Sequence, residues 1–139
     1  ESTSAPAPVE TSPADSDTSG TETVLVIGDE EMVRHTAVKL LRRQGYTMLS
    51  AADGEEGLDL FERHGETIDL ILLDQSMPRL SGKQALARLR AQSTSVGIVI
   101  ITGFPVDLED FEGADDLLQK PFSLKSLADC VRRTLDRDR

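Results

Sequence analysis

From Thr23 onward, short runs of aliphatic residues alternate with stretches whose apolar positions recur every three or four residues. Val24-Leu25-Val26-Ile27 is apolar throughout and predicts a buried strand. The stretch after it puts Val33, Ala37, Leu40 and Leu41 on one stripe, predicting a helix that ends at Gly45. Tyr46 to Ala51 reads as a second strand. Asp53-Gly54-Glu55-Glu56 has capping-box spacing and opens a helix with Leu58 and Phe61 facing inward, closed by Gly65. Asp69 to Leu73 is a third strand. Ser81-Gly82-Lys83-Gln84 is a second capping box, opening a helix with Leu86 and Leu89 inside. Val96 to Ile101 is a fourth strand. Between Gly103 and Gly113, Pro105 and the acidic residues leave room for only a short helix. Leu117-Leu118 is a brief fifth strand. Ser123 caps a last helix whose stripe is Leu124, Leu127, Ala128, Val131 and Leu135.

Continuous apolar strands alternating with amphipathic helices imply a parallel sheet covered on both faces. The expected fold class is therefore α/β: a doubly wound, five-stranded parallel sheet with five helices, the fourth of them short. In such sheets ligand chemistry gathers beyond the carboxyl ends of the strands.

Residues 1–20 break this pattern. They hold Glu1, Glu10, Asp15 and Asp17 with no Lys or Arg, three of the six prolines, and Val9 as their single large aliphatic residue. Such composition does not bury enough apolar surface to offset ordering entropy. Residues 1–21 are thus expected to be a disordered acidic linker and residues 22–139 a single domain. The formal net charge of −10 argues against a phosphate-backbone binder, which needs basic surface. One cysteine, Cys130, excludes an internal disulfide and fits a reducing compartment. No stretch approaches the ~20 apolar residues of a membrane helix, and the start lacks the basic and apolar segments of a signal peptide.

The polar residues at the strand ends carry the chemistry. Gly28, Asp29, Glu30 and Glu31 follow the first strand, Asp74 the third, Thr102 the fourth, and Lys120 with Pro121 and Phe122 the fifth. Neighbouring carboxylates repel unless a hard divalent cation bridges them, so Asp29 and Asp74 point to magnesium. A lysine ammonium and a threonine hydroxyl beside them would cradle a phosphoryl group, and a carboxylate is itself a competent nucleophile. Taken singly, Asp29 reads as a helix cap, Asp74 as a turn residue, Lys120 as a surface lysine and Thr102 as a satisfied hydroxyl. Taken together at four strand ends, they read as one site. The acidic loop after the first strand opposes a flavin phosphate, and no Gly-rich nucleotide loop is present. His35 and His64 fall on helices away from the strand ends. Cys130, Phe61 and Phe122 read as packing residues.

The segments VLVIGDEE (24–31), LDQSMPRLSG (73–82), Ile101-Thr102 and GADDLLQKPF (113–122) resemble the receiver domain of bacterial two-component response regulators. The resemblance covers about residues 22–136. It implies a flavodoxin-like strand order 2-1-3-4-5 and transfer of a phosphoryl group from a kinase phosphohistidine onto Asp74, with Mg²⁺ as cofactor. It further implies Asp29, Asp74 and the backbone carbonyl of Ser76 as metal ligands, with Glu30 a weaker candidate. By the same resemblance Lys120 contacts the phosphoryl oxygens and the Thr102 hydroxyl moves to them on activation. A receiver catalyses only its own phosphorylation and dephosphorylation; a parent chain would be the histidine kinase.

Three positions depart from that family. Gly28 stands where a further Asp is usual, which removes one charge and predicts weaker Mg²⁺ binding. Leu117 stands where a Tyr or Phe usually rotates on activation. Thr102 and Lys120 are closer in sequence than usual, which predicts the shortened fourth helix and an altered output face. The acidic linker and the phrases GTETVLVIGDEEMVR and GYTMLSAADGEEGLDLFERHG resemble the C-terminal receiver of a hybrid sensor histidine kinase, in the bacterial cytoplasm. Its partners would be a histidine kinase or phosphotransfer domain, with neither nucleic acid nor membrane contacted by this segment. Alternatives are a free-standing single-domain regulator, or a pseudo-receiver that keeps the fold without regulated phosphorylation. An aspartyl phosphatase would need a second Asp where Ser76 stands.

Overall fold

A computed structural model of the chain describes residues 20–75, 82–93, 95–103 and 107–137. The elements follow in the order β1 (Thr23–Ile27), α1 (Glu31–Arg43), β2 (Thr47–Ala51), α2 (Gly54–His64), β3 (Leu70–Asp74), α3 (Gly82–Gln92), β4 (Gly97–Thr102), one 3-10 turn (Leu108–Asp110), β5 (Asp116–Gln119) and α4 (Leu124–Arg137). The five strands form one parallel sheet in the order β2-β1-β3-β4-β5.

The sheet explains the continuous apolar strands. Leu25, Ile27, Ile71, Leu73, Ile98 and Ile100 face one side, against Phe61 of α2 and Ala85, Leu86 and Leu89 of α3. Val24, Val26, Leu70, Leu72, Val99 and Ile101 face the other, against Ala37 and Leu41 of α1 and Leu127 and Val131 of α4. Alternate residues thus bury on opposite faces, and apart from their end residues β1, β3 and β4 are apolar on both.

Local signals behave as expected at several ends. Gly45 takes a left-handed φ of 103° just past α1. Asp53 Oδ1 accepts from the Glu56 amide at 2.8 Å, and Glu56 Oε1 accepts from the Ala52 amide at 2.7 Å, a reciprocal cap for α2. Ser123 Oγ accepts from the Ser126 amide at 3.1 Å and caps α4. The capping box at Ser81 lies outside the described residues, as do Ser76 and residues 1–19 of the expected linker.

Two expectations need correction. Among the described residues there are four α-helices rather than five, and the short fourth helix is a single 3-10 turn closed by Asp110 N to Asp107 O and Phe111 N to Leu108 O. Among its described residues the segment offers one buried apolar anchor, Phe111, where a helix needs a stripe. Leu124 is 38% exposed, so the buried stripe of α4 begins at Leu127.

The chain enters the fold at the amino edge of the sheet. Gly20 N donates to Gln44 O at 3.1 Å, just past α1. Two residues on, Glu22 is held by both terminal nitrogens of Arg132 on α4, at 2.6 and 3.2 Å.

Candidate functional site

Parallel pairing brings the carboxyl ends of β1, β3, β4 and β5 to one edge. Ile27 pairs with Leu73, Asp74 with Ile101, and Thr102 with Gln119. Gly28, Asp74, Thr102 and Lys120 therefore stand at or just past four adjacent strand ends. Backbone bonds fix these ends: Gly28 N to Ala51 O at 3.1 Å, Gln75 N to Ile101 O at 2.8 Å and Lys120 N to Thr102 O at 2.7 Å.

Asp74 and Thr102 are two of the few buried polar residues, 1% and 2% exposed. Lys120 reaches inward from β5 and puts its Nζ 3.5 Å from Asp74 Oδ2. Its closer contact is with Glu30, whose Oε1 accepts a short charged hydrogen bond from the same ammonium. Burial alone would lower the Lys120 pKa, but the Glu30 and Asp74 carboxylates outweigh it and hold the ammonium above the ordinary lysine value. Lys120 is thus a fixed cation at neutral pH, placed between an inner and an outer carboxylate.

Asp29 is exposed in the loop between β1 and α1. It does not cap the helix: the N-cap position belongs to Glu30, and no side chain caps α1. Arg34, which the sequence reading did not single out, donates from Nη1 to Gly28 O at 2.6 Å and ties the loop to the first turn of α1. An arginine six residues beyond a loop glycine carries no signal of that role, because the contact depends on how the helix leaves the strand.

The donor set suits a hard cation. Mg²⁺ is typically held by one or two carboxylates, with water and substrate oxygens completing its shell, and Asp29 and Asp74 supply hard oxygen donors at this edge. Among the described residues no group of three or more His, Cys, Asp or Glu is placed to hold a metal ion, and the Glu30 carboxylate is turned to Lys120. Leu117 is half-buried against the α2/α3 side of the sheet, with no aromatic ring at that position.

Beside the site an open groove of about 480 Å³ runs between α1 and the end of β5, lined by Glu30, Met32, Val33, Lys120 and Phe122 among others. Met32 is 82% exposed there. A larger hollow of about 770 Å³ lies at the opposite edge of the sheet, around Asp69, Gly97 and Thr134. It holds none of the strand-end residues above, so size does not mark the chemistry.

Residues 24–132 match the response regulator receiver domain family. The chain is 35% identical over 125 residues to the sensor kinase CckA of Brucella abortus, covering 87% of this chain and 13% of that protein. It is 41% identical over 121 residues to a probable transcriptional regulator, ycf27, of Porphyridium aerugineum, covering 84% of this chain and 49% of the other. The chain thus spans from about an eighth to a half of these relatives. Among solved structures, the receiver domain of a hybrid histidine kinase CckA superposes with a TM-score of 0.71 at 36% identity, covering 81% of this chain and 98% of that one. A response regulator receiver domain protein from Clostridium thermocellum superposes with a TM-score of 0.77 at 30% identity, covering 84% and 96%.

Proposed function

The chain belongs to the response regulator receiver domain family, and from that premise we propose that Asp74 accepts a phosphoryl group from a phosphohistidine of a histidine kinase or phosphotransfer domain. The observation that carries this reading is the buried Asp74 carboxylate with the Lys120 ammonium 3.5 Å away at the carboxyl edge of the sheet. An Asp74 oxygen attacks phosphorus; the P–N bond to the imidazole breaks as the P–O bond forms, and the released nitrogen keeps the electron pair. Hydrolysis reverses the modification when water attacks phosphorus and the aspartate oxygen leaves. Lys120 neutralises charge on the phosphoryl oxygens, and Thr102 at the adjacent strand end supplies a hydroxyl donor. Asp29 and Asp74, with the Ser76 carbonyl, would hold Mg²⁺, which supplies further charge neutralisation at the transferred group.

The groove beside Lys120 gives the phosphodonor a place to dock: Met32 and Phe122 offer an apolar surface next to the acceptor. Tethering through residues 1–21 to a hybrid histidine kinase fits the similarity to CckA; a free-standing regulator is the alternative. No helix among the described residues is long and apolar enough to cross a membrane. Gly28 and Leu117 favour a second reading, a pseudo-receiver that binds partners without regulated phosphorylation.

One experiment separates the two. The full chain is treated with acetyl phosphate, or with beryllium fluoride as a phosphoryl mimic, with and without Mg²⁺, alongside Asp74→Asn. Modification that needs both Mg²⁺ and Asp74 is expected. Its absence from the wild-type chain overturns the acceptor reading in favour of the pseudo-receiver.

A further inference from the structure

Glu30 occupies the N-cap position of α1, where a carboxylate ordinarily accepts from the helix amides. It makes no cap hydrogen bond. Its carboxylate reaches instead to Lys120, 90 residues away in sequence. The ammonium it meets lies on the border between core and solvent: the Glu30 side chain is 55% exposed, that of Lys120 17%, and that of Asp74 2%. The lysine is bonded on its outer side and stands 3.5 Å from the acceptor on its inner side.

Gly28 gives this arrangement its meaning. The β1 end presents no side chain beside Asp74, and the loop carboxylate that reaches the lysine is Glu30, two residues on. A carboxylate there meets the lysine.

We propose that Glu30 is a positioning residue that holds the Lys120 ammonium at the mouth of the site, so that a phosphoryl group on Asp74 must draw the lysine away from it. The proposal rests on Asp74 as acceptor and deepens that reading. An ammonium has three donors and adjusts its partners by rotation. Before modification they are shared by Glu30 and Asp74. After modification the phosphoryl oxygens compete for them, and Glu30, being half in water, gives up its contact at small cost. Glu30 also adds like charge near the incoming anion, the smaller effect because its side chain is 55% exposed and screened by solvent. Both effects act in one direction: Glu30 disfavours the phosphorylated state.

The test uses the full chain and the Glu30→Gln variant, which keeps the side-chain length and removes the charge. Side-chain NMR of labelled lysines reads the Lys120 Nζ directly; its signal is expected to move in the variant while the signals of Lys39 and Lys125 stay. Beryllium fluoride at saturating Mg²⁺ is expected to bind about two- to fivefold tighter to Glu30→Gln, with Mg²⁺ affinity unchanged. In a Lys120→Met background the same Glu30 substitution is expected to lose most of its effect on beryllium fluoride, which a merely structural role would not produce. An unmoved Lys120 signal, an equal or weaker affinity for beryllium fluoride, or an undiminished effect without Lys120 overturns the proposal. Weakened Mg²⁺ binding overturns it in favour of Glu30 as a metal ligand. A wild-type chain that binds no beryllium fluoride overturns the acceptor reading instead; the Nζ signal needs no phosphoryl group and still judges the Glu30–Lys120 contact.

Discussion

Gly28 lies against Asp74: a Cβ at position 28 would sit 3.0 Å from the Asp74 Cβ and 3.3 Å from its Oδ2. Position 28 is therefore tight, and any carboxylate placed there would stand beside the acceptor. Gly28→Asp is expected to tighten Mg²⁺ binding about tenfold, since affinity at such sites follows ligand charge. The same variant should lose stability without metal through crowding and like-charge repulsion. Gly28→Ala isolates the crowding, at about 1 kcal/mol. Mg²⁺ titrations and urea denaturation with and without Mg²⁺ check both; unchanged or weaker Mg²⁺ affinity in Gly28→Asp would refute the account of this position.

Arg132 on α4 clamps Glu22 ahead of β1 with two hydrogen bonds and also donates to the Tyr46 hydroxyl at 3.4 Å. The Arg132 hydrogen bonds outweigh burial and hold the Glu22 carboxyl below its ordinary 4.5. A depressed carboxylate pKa stabilises the fold above the unfolded value and ceases to do so as pH falls through the folded one. Glu22→Gln is thus expected to cost about 1 kcal/mol at neutral pH. The gap between variant and wild type should close as pH drops below 4.5. Thermal or urea denaturation across that range reads it directly; a gap independent of pH would contradict the assignment.

The segment that replaces the fourth helix is held from α3. Arg90 donates from Nε to Gly113 O at 2.7 Å, from Nη1 to Val96 O at 2.6 Å and from Nη2 to Asp115 Oδ2 at 3.0 Å. Asp115 Oδ2 also accepts from the Ile98 amide at 2.9 Å. Arg90→Ala is expected to cost about 2 kcal/mol, since it strips partners from several part-buried acceptors. Arg90→Lys should recover little, because an ammonium does not span the planar fork. Hydrogen exchange should rise first at Ala114 and Asp115; uniform exchange across the sheet would argue against a local role.

Cys130 is 1% exposed on α4, and its thiol donates to Asp116 Oδ2 at 3.6 Å. Burial, with the Asp116 charge beside it, pushes the thiol up to about 12. Against an ordinary thiol, the thiolate fraction near pH 8 falls about a thousandfold. Alkylation of the native chain at pH 8 should be correspondingly slow and should become fast in denaturant, as mass spectrometry can follow. Rapid native labelling would place Cys130 elsewhere than in the core.

The parts of this fold that could be read in the sequence are those with local or periodic causes. Val24–Ile27 and Ile98–Ile101 are apolar throughout because both faces of their strands are buried. Asp53 and Ser123 cap the helices they precede, because a cap needs only a neighbour three residues on. Asp74, Thr102 and Lys120 fall on one edge because parallel strands align their carboxyl ends. What was illegible depends on tertiary approach. Nothing local to Glu30 says that it will leave its own helix for Lys120, nor that Arg90 will hold Gly113 from 23 residues away. The segment from Gly103 to Gly113 reads as a short helix because Pro105 and the acidic residues leave room for little more; its described residues form a single 3-10 turn with Phe111 buried behind it.

The entry of the chain has a mechanical consequence. Gly20 and Glu22 are fastened to Gln44 and Arg132 at the amino edge, while Asp74 opens at the carboxyl edge. β1, with five residues, separates the two by about 17 Å. A force applied to the chain at Gly20 is therefore borne at the amino edge, a full strand length from the end that carries Asp74.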